Sequence, residues 1–270
     1  TLELPMRAPE SPGEPWTFDF EAMRSTLANS PQRPKLLILC SPQNPTSRVL
    51  DTTELREFLS LAQEFDMTIC SDEIHCDLVL GDQKHRPTAT LSSEAASRTV
   101  TLMSPSKTYN VPGLGIAFAI IPDPELRRSF RRAARGIVTQ MPAMGYVGLE
   151  AAFREGEPWR QELLAHLRQN RDLIFRRFQE SSQDSGMRLS TTMESTYLAW
   201  IEVTDLGLRD PVKFFEDEAL VGLTGDVGFG RFPGRQFVRL NFGCSAQVVD
   251  EALERMLTAC RAQTESINLS

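Results

Sequence analysis

Residues 36–45 read Leu-Leu-Ile-Leu-Cys-Ser-Pro-Gln-Asn-Pro, an apolar run followed at once by a polar turn with two prolines. An unalternating apolar run of this length, bounded by a turn, predicts a strand buried on both faces of a sheet. A helix is expected next, because Asp51 and Glu54 have capping-box spacing and apolar residues recur at helical period up to Phe65. This strand–turn–helix unit predicts an α/β fold with a mostly parallel sheet.

The same pattern continues outward along the chain. Further apolar runs cover residues 67–70, 100–103 and 116–121, and polar residues follow the first three strands, Asn44, Asp72 and Lys107 among them. In parallel α/β sheets, ligands bind at the carboxyl ends of the strands. We therefore expect these three side chains to converge on one crevice.

The pattern changes after Pro158, which is well placed as the first residue of a long helix. Strands are predicted at 197–203 and 236–241, a helix at 211–220 between them, and a final helix after Ser245. We predict two domains: residues 1–159 belong to a large α/β domain, and residues 160–270 form a smaller α+β domain.

Composition excludes some classes of function. The chain has 270 residues, 36 acidic against 29 basic, and a net charge of −7, which argues against a nucleic-acid partner. The longest apolar stretch, Leu114 to Ile121, is too short to span a bilayer, so no membrane partner is expected. The five cysteines are odd in number, and three lie in or beside predicted strands. A reducing compartment, the cytoplasm, is therefore expected.

Several side chains could carry chemistry. Lys107 follows a buried strand, where a partly desolvated amine could form a Schiff base, although a surface loop lysine fits the same position. Ser104 and Ser106 offer donors to a phosphate held beside that amine. Asp72 could pair with a protonated ring nitrogen or could form a turn. Asn44, between two prolines, either aims its side chain at a ligand or makes an Asx-turn.

Three further patterns could indicate a binding site. Arg239 lies inside the apolar run Phe-Val-Arg-Leu-Asn, and we expect it to meet an anion, either a structural carboxylate or that of a substrate. His75 and His85, with Asp72, Asp77 and Cys76 nearby, invite a metal interpretation, but no pair of them has a recognised ligand spacing, and no metal site is predicted. The glycines between 225 and 234 lack the ending of a phosphate loop, so an ordinary loop is predicted there.

Four motifs together resemble the fold-type I pyridoxal-phosphate (PLP) enzymes. They are Ser-Pro-Gln-Asn-Pro-Thr at 41–46, Ser-Asp-Glu-Ile-His-Cys-Asp-Leu at 71–78, Ser-Pro-Ser-Lys-Thr-Tyr-Asn-Val-Pro-Gly-Leu at 104–114 and Phe-Val-Arg-Leu-Asn-Phe-Gly-Cys at 237–244. The Asp-Glu-Ile-His block, His85-Arg86-Pro87 and Ser-Thr-Tyr-Leu-Ala-Trp at 195–200 are most similar to the cystathionine β-lyase branch of the class I/II aminotransferase family. The resemblance covers nearly the whole chain.

The resemblance implies a role for the lysine and for the groups that contact the cofactor ring. Lys107 would form the Schiff base with PLP and move the proton of the substrate Cα. Asp72 would keep the pyridine nitrogen protonated. Asn44 would hydrogen-bond the phenolic oxygen of the ring, and His75 stands where many relatives place a Tyr for the same oxygen.

The resemblance also implies how anionic groups are held. Ser104 and Ser106 would bind the phosphate, and Arg239 would bind the substrate carboxylate. Two positions depart from the family pattern: Ser47 replaces the usual Gly after Asn-Pro-Thr, and Gly115 stands where many aminotransferases carry an Arg. The chain is also much shorter than family members, and we expect the N-terminal third, with its Gly-rich phosphate loop, to be absent.

The resemblance implies a carbon–sulfur β-lyase that converts cystathionine or another cysteine S-conjugate into a thiol, pyruvate and ammonia. An aminotransferase using the same residues is the alternative, and a truncated non-catalytic relative is a third possibility. The expected partners are a small amino-acid substrate and a second copy of the chain, because fold-type I enzymes build their sites at a homodimer interface.

Overall fold

The computed structural model describes the whole chain except Pro5, Pro12, Thr139, residues 182–184, Arg231 and residues 269–270, and it describes only the backbone of 266–268. Within the described residues the strands are β1 (Met6–Arg7), β2 (Thr17–Phe18), β3 (Leu36–Cys40), β4 (Thr68–Asp72), β5 (Thr99–Met103), β6 (Phe118–Ile120), β7 (Arg188–Leu189), β8 (Leu198–Glu202), β9 (Thr224–Gly225) and β10 (Phe237–Asn241). The helices are α1 (Phe20–Ala28), α2 (Thr52–Glu64), α3 (Ser93–Arg98), α4 (Pro124–Ala134), α5 (Ala143–Glu155), α6 (Glu157–Ser181), α7 (Pro211–Glu218) and α8 (Ala246–Asn268).

The chain divides into two compact units. The N-terminal unit comprises Thr1–Leu4, Phe18–Gln43 and Val49–Leu163, and the C-terminal unit comprises Pro5–Thr17, Asn44–Arg48 and Leu164–Ser270. Two short segments from the predicted first domain thus group with the C-terminal unit. The first of these segments is joined to the rest of the C-terminal unit by a hydrogen bond in which Trp16 Nε1 donates to Ser190 O at 2.7 Å.

The N-terminal unit contains a four-stranded sheet in the order β3-β4-β5-β6. Strands β3, β4 and β5 run parallel, and β6 runs antiparallel to β5. Helix α2 connects β3 to β4 and begins with the predicted capping box, since Asp51 Oδ1 accepts from Glu54 N at 2.8 Å and Glu54 Oε2 accepts from Asp51 N at 3.0 Å. The α/β class predicted from the sequence is confirmed.

One face of this sheet is covered by a continuous apolar core. Its members come from α1, α2, α3, the inward side of β3 and β4, and the residues just before α2 and β4, and each large side chain removed from water contributes about 1.5–3 kcal/mol. The buried members are Met23, Leu27, Leu37, Leu39, Leu50, Leu55, Phe58, Leu59, Leu61, Ala62, Met67, Ile69 and Ala95.

The other face of the sheet departs from the expectation of cover on both sides. On β3 the alternate residues Leu36 and Ile38 are 50% and 72% exposed, and Ile120 on β6 is 47% exposed. Side chains of successive strand residues point to opposite faces, so an unalternating apolar sequence still produces an alternating burial pattern when only one face is covered. Within the described residues, this face is covered in part only.

The C-terminal unit is built on an antiparallel sheet in the order β7-β8-β10-β9. Strand β8 is buried along its whole length, and the rings of Trp200 and Phe237 stack at 5.2 Å between centroids. Helices α6 and α8 bury one face each, which includes Leu167 and Ile174 on α6 and Leu253 on α8. None of the helices in the described part of the chain has the length and apolarity that a bilayer crossing requires.

Candidate functional site

Asp72 lies at the carboxyl end of the central parallel strand β4, as the sequence predicts. It pairs in register with Cys40 of β3 and Leu102 of β5. Its Oδ1 accepts a hydrogen bond from the backbone N–H of Ile74 at 3.1 Å, which turns the chain after the strand. Within the described residues the second oxygen, Oδ2, has no donor, so the half-buried carboxylate can still accept a hydrogen bond from a ligand.

Lys107 lies in a compact turn directly after β5. The turn is closed by backbone hydrogen bonds from Tyr109 N to Pro105 O at 2.9 Å and from Val111 N to Ser106 O at 3.2 Å. The lysine is half-buried, and its amine has no hydrogen-bond or carboxylate partner within the described residues. The amine is therefore held on a defined backbone and remains available to a ligand.

The two predicted phosphate-binding hydroxyls differ in their contacts. Ser104 is buried, and its hydroxyl donates to Ile116 O at 2.7 Å and accepts from Ser106 N at 3.0 Å. These contacts shape the turn that carries Lys107. The half-buried hydroxyl of Ser106 has no partner within the described residues and is the freer donor of the two.

Glu73, which follows Asp72, is buried in a hydrogen-bonded network that sequence reasoning did not find. Oε1 accepts from Ser71 Oγ at 2.9 Å and from Thr88 N at 3.0 Å, and Oε2 lies 2.8 Å from His85 Nε2. The alternation of Ser71, Asp72 and Glu73 at a strand end was the available signal, because it sends Ser71 and Glu73 to the side opposite Asp72.

His75 lies in the turn that follows Asp72 and is buried. Its carbonyl accepts from Leu78 N at 2.9 Å, which fixes the backbone of the turn. Burial and the carboxylates of Asp77 and Glu73 raise the pKa of the neighbouring Cys76 to about 12, so this thiol stays protonated at neutral pH. In the described part of the chain, no cluster of three or more His, Cys, Asp or Glu is arranged to hold a metal ion.

Arg239 and Asn44, which are 195 residues apart in sequence, meet in the C-terminal unit. Arg239 Nη1 donates to Asn44 Oδ1 at 2.7 Å and Nη2 donates to Thr224 Oγ1 at 3.3 Å, and the guanidinium lies 4.9 Å from the centre of the Phe229 ring. Within the described residues, Arg239 has no carboxylate partner and its buried Nε has no acceptor. Desolvation lowers the pKa of Arg239, while Tyr197 acts in the opposite direction.

The segment that carries Asn44 is held by hydroxyl groups. Ser47, which stands at the usual Gly position, has φ +59° in the left-handed region, and its buried hydroxyl donates to Leu198 O at 2.6 Å and contacts Thr196 Oγ1 at 2.8 Å. Ser195 Oγ donates to Ser47 O at 2.8 Å, and Thr191 Oγ1 donates to Thr46 O at 2.5 Å. The structure accommodates the serine because its hydroxyl is fully used.

The second departure from the family pattern, Gly115, ends the short turn that follows Lys107. Its φ of +57° lies in the left-handed region, where a side chain is strained. The glycine therefore suits the local backbone, and a long cationic side chain at this position would add backbone strain to the turn.

Comparison with known proteins places this architecture in a family. The model of the family "Aminotransferase class I and II" matches residues 3–256. The chain is 32% identical over 256 residues to cystathionine beta-lyase PatB of Bacillus subtilis (strain 168), covering 90% of this chain and 62% of the relative. The chain thus spans about three fifths of the length of this curated relative.

Solved structures agree with this assignment. A structure described as "Crystal Structure of OvoB" is 42% identical with a TM-score of 0.83, covering 91% of this chain and 62% of that one. A PLP-bound putative aminotransferase from Clostridium difficile 630 is 30% identical with a TM-score of 0.86, covering 95% and 65%. The chain belongs to the class I and II aminotransferase family.

Proposed function

We propose that this protein is a PLP-dependent carbon–sulfur β-lyase that converts cystathionine or another cysteine S-conjugate, with water, into a thiol, pyruvate and ammonia. The observation that carries the cofactor assignment is the placement of Asp72 and Lys107. The carboxylate ends β4, and the amine follows β5, the strand that pairs with β4 in parallel. The name of the Bacillus subtilis relative favours the lyase over the aminotransferase.

The donors and acceptors that are present suit PLP. Asp72 Oδ2 is an acceptor for a protonated ring nitrogen, and the Asn44 side-chain nitrogen, which has no acceptor within the described residues, is a donor for the phenolic oxygen. Ser106 offers a hydroxyl to the phosphate. Lys107 offers an amine that no carboxylate in the described part of the chain holds. Each required chemical type is therefore available: an amine, a carboxylate, an amide N–H and a hydroxyl.

Bound PLP would supply an electron sink that stabilises negative charge on the substrate Cα. Lys107 would hold the cofactor covalently and, once displaced by the substrate amine, take the proton from Cα. Asp72 would keep a proton on the ring nitrogen, and Asn44 would fix the orientation of the ring. Arg239 would bind the substrate carboxylate, because its guanidinium is partly desolvated and no carboxylate among the described residues pairs with it.

A subunit contact is part of the proposal. Helix α5 exposes the apolar side chains Met144, Tyr146 and Val147, which are 67%, 59% and 59% exposed. Contiguous exposed apolar surface of this kind marks protein–protein contacts. We expect sedimentation velocity of the PLP-loaded protein to give a dimer, and a monomer would contradict this part of the proposal.

The function can be tested with the purified chain. Incubation with PLP followed by borohydride reduction should attach the cofactor to Lys107, identified by mass spectrometry among the four lysines. The variant Lys107→Ala should lose the adduct, while Lys35→Ala, which alters an exposed lysine paired with Asp66, should keep it. A folded chain without an adduct would contradict the cofactor assignment.

The reaction class requires a second measurement. Loaded protein given L-cystathionine should release pyruvate with no 2-oxo acid added. Pyruvate formation that depends strictly on a 2-oxo acid acceptor would identify an aminotransferase instead and exclude the lyase.

A further inference from the structure

Glu73 carries a buried carboxylate that has no role in the proposed chemistry. Its side chain is 1% exposed, and removing a carboxylate from water is costly unless donors replace the water. Ser71 Oγ, Thr88 N and His85 Nε2 supply such donors within 3.0 Å. The carboxylate thus ties the end of β4 to the segment that carries His85 and Thr88.

The network brackets Asp72. Ser71 and Glu73 lie on one side of the extended chain, and Asp72, between them, points to the other. Hydrogen bonds to the neighbouring chain segments also hold the backbone of Asp72 and Glu73, since Asp72 O accepts from Ser41 N at 3.0 Å and Glu73 N donates to Leu102 O at 3.1 Å. With both flanking side chains anchored, the direction of the Asp72 side chain is fixed.

His85 contributes to this network through one atom. Its ring is 10% exposed, Nε2 contacts Glu73, and Nδ1 is buried without a hydrogen-bond partner among the described residues. A ring that leaves one nitrogen buried and unsatisfied has a free-energy cost, and the contact with Glu73 offsets it. The placement of His85 therefore serves the Glu73 carboxylate.

We propose that Glu73 and His85 are positioning residues that hold Asp72 in the orientation in which Oδ2 faces the cofactor. The inference rests on the proposed function, because it takes Asp72 to be the partner of the ring nitrogen. The pair itself touches neither cofactor nor substrate and acts through the backbone of residues 71–73.

The first test needs no cofactor. The N–H of Ile74 bonds to Asp72 Oδ1, so its hydrogen exchange reports the orientation of that carboxylate. In His85→Ala we expect exchange at Ile74 about tenfold faster than in the unsubstituted chain. In His85→Gln, whose amide nitrogen can replace Nε2, protection should return.

Arg98→Ala is the matched control. Arg98 Nη1 donates to Met67 O at 3.0 Å at the opposite end of β4, so this variant weakens the same unit away from Asp72. It should leave Ile74 exchange unchanged relative to neighbouring amides. Equal acceleration in His85→Ala and Arg98→Ala, or unchanged protection in His85→Ala, would overturn the proposal.

The second test uses the loaded protein and ¹⁵N-labelled PLP. The ¹⁵N resonance of the ring nitrogen should move toward its unprotonated position in His85→Ala and stay in place in His85→Gln and Arg98→Ala. A resonance that does not move in His85→Ala would overturn the proposal. If the unsubstituted chain forms no adduct at Lys107, the proposed function fails, and the exchange measurement at Ile74 still decides whether the pair positions Asp72.

Discussion

Asp72 in the N-terminal unit and Arg239 in the C-terminal unit are held by different means. Asp72 is flanked by the buried side chains of Ser71 and Glu73, and Glu73 is paired with the partly buried His85, 12 positions away. Arg239 is held through Asn44, whose segment is anchored by hydroxyl groups such as that of Ser47. Each of these two side chains keeps one polar atom that has no partner within the described residues, Oδ2 of Asp72 and Nε of Arg239.

Because of this difference, substitutions in the two networks should affect stability in different ways. A buried carboxylate leaves several donors unsatisfied when it is removed, so its loss affects the whole network at once. A hydroxyl that donates to a backbone carbonyl contributes about 1 kcal/mol net to the free energy of unfolding, and the other hydroxyl groups continue to hold the segment when one is removed. We therefore expect one substitution to disrupt the whole N-terminal network around Glu73, whereas single substitutions of the C-terminal hydroxyl groups should each cause a smaller, separate loss of stability.

We expect the largest effect on stability from substitution of Glu73. Glu73→Ala removes the acceptor of three donors in the interior, and we expect the free energy of unfolding in urea to fall by about 3–5 kcal/mol. Glu64→Ala, which removes the exposed partner of Arg24 in the same unit, should cost less than about 1 kcal/mol. Similar losses in the two variants would end the comparison, because Glu73 would then behave as a surface charge.

The next effect concerns ligand binding by Arg239. In Arg239→Gln, which keeps hydrogen-bond donors but loses the charge, we expect loaded protein to bind L-cystathionine roughly tenfold or more weakly, since a hydrogen bond to a charged group contributes about 1.5–3 kcal/mol. Titration followed by visible absorption measures it. Cysteamine, an amine without a carboxylate, should bind both proteins equally, and an equal loss for both ligands would contradict the carboxylate assignment.

A smaller effect tests the hydroxyl anchor. Ser47→Ala loses two buried hydrogen-bonding contacts while the left-handed φ stays strained, and we expect a loss of about 1–3 kcal/mol in urea unfolding. Ser47→Gly loses the same hydroxyl but relieves about 1–2 kcal/mol of backbone strain, so it should be the more stable of the two. The opposite order would mean that φ at this position carries no strain.

Much of the fold could be predicted because its signals are local. The capping box of Asp51 and Glu54 defined the start of α2, and helical period and Pro158 defined the region where α6 begins. Asp72 and Lys107 could be placed after their strands for the same reason. Such features depend on residues within a few positions of each other, which a sequence displays directly.

The remaining features depend on contacts between distant segments. Asn44 and Arg239 are 195 residues apart, and Ser47 and Thr196 are 149 residues apart, so no spacing rule relates them. The open face of the sheet was also missed. Apolar residues such as Ile38 are typical of a covered strand, and only the arrangement of the other elements decides whether cover exists.

The smallest effect probes a charged exception within the C-terminal unit. Arg235 Nη2 lies 2.6 Å from Glu202 Oε2, and although burial alone would raise the pKa of Glu202, the hydrogen bonds from Arg235 and Thr204 lower it below the ordinary 4.5. A carboxyl whose pKa is lower in the folded than in the unfolded chain stabilises the fold above about pH 4.5, and this contribution disappears as the pH falls through the folded pKa.

In a Trp159→Phe background, which removes the one tryptophan of the N-terminal unit, the fluorescence of Trp16 and Trp200 can follow the unfolding of the C-terminal unit at a series of pH values. Below pH 4.5 the unsubstituted chain should lose stability with a steeper slope than Arg235→Gln, because the variant lacks the cation that lowers the pKa of Glu202. Equal slopes would mean that the stability of this unit does not depend on the pair of Arg235 and Glu202. The contrast between the ionisable network of the N-terminal unit and the hydroxyl-held segment of the C-terminal unit would then describe both units as a whole.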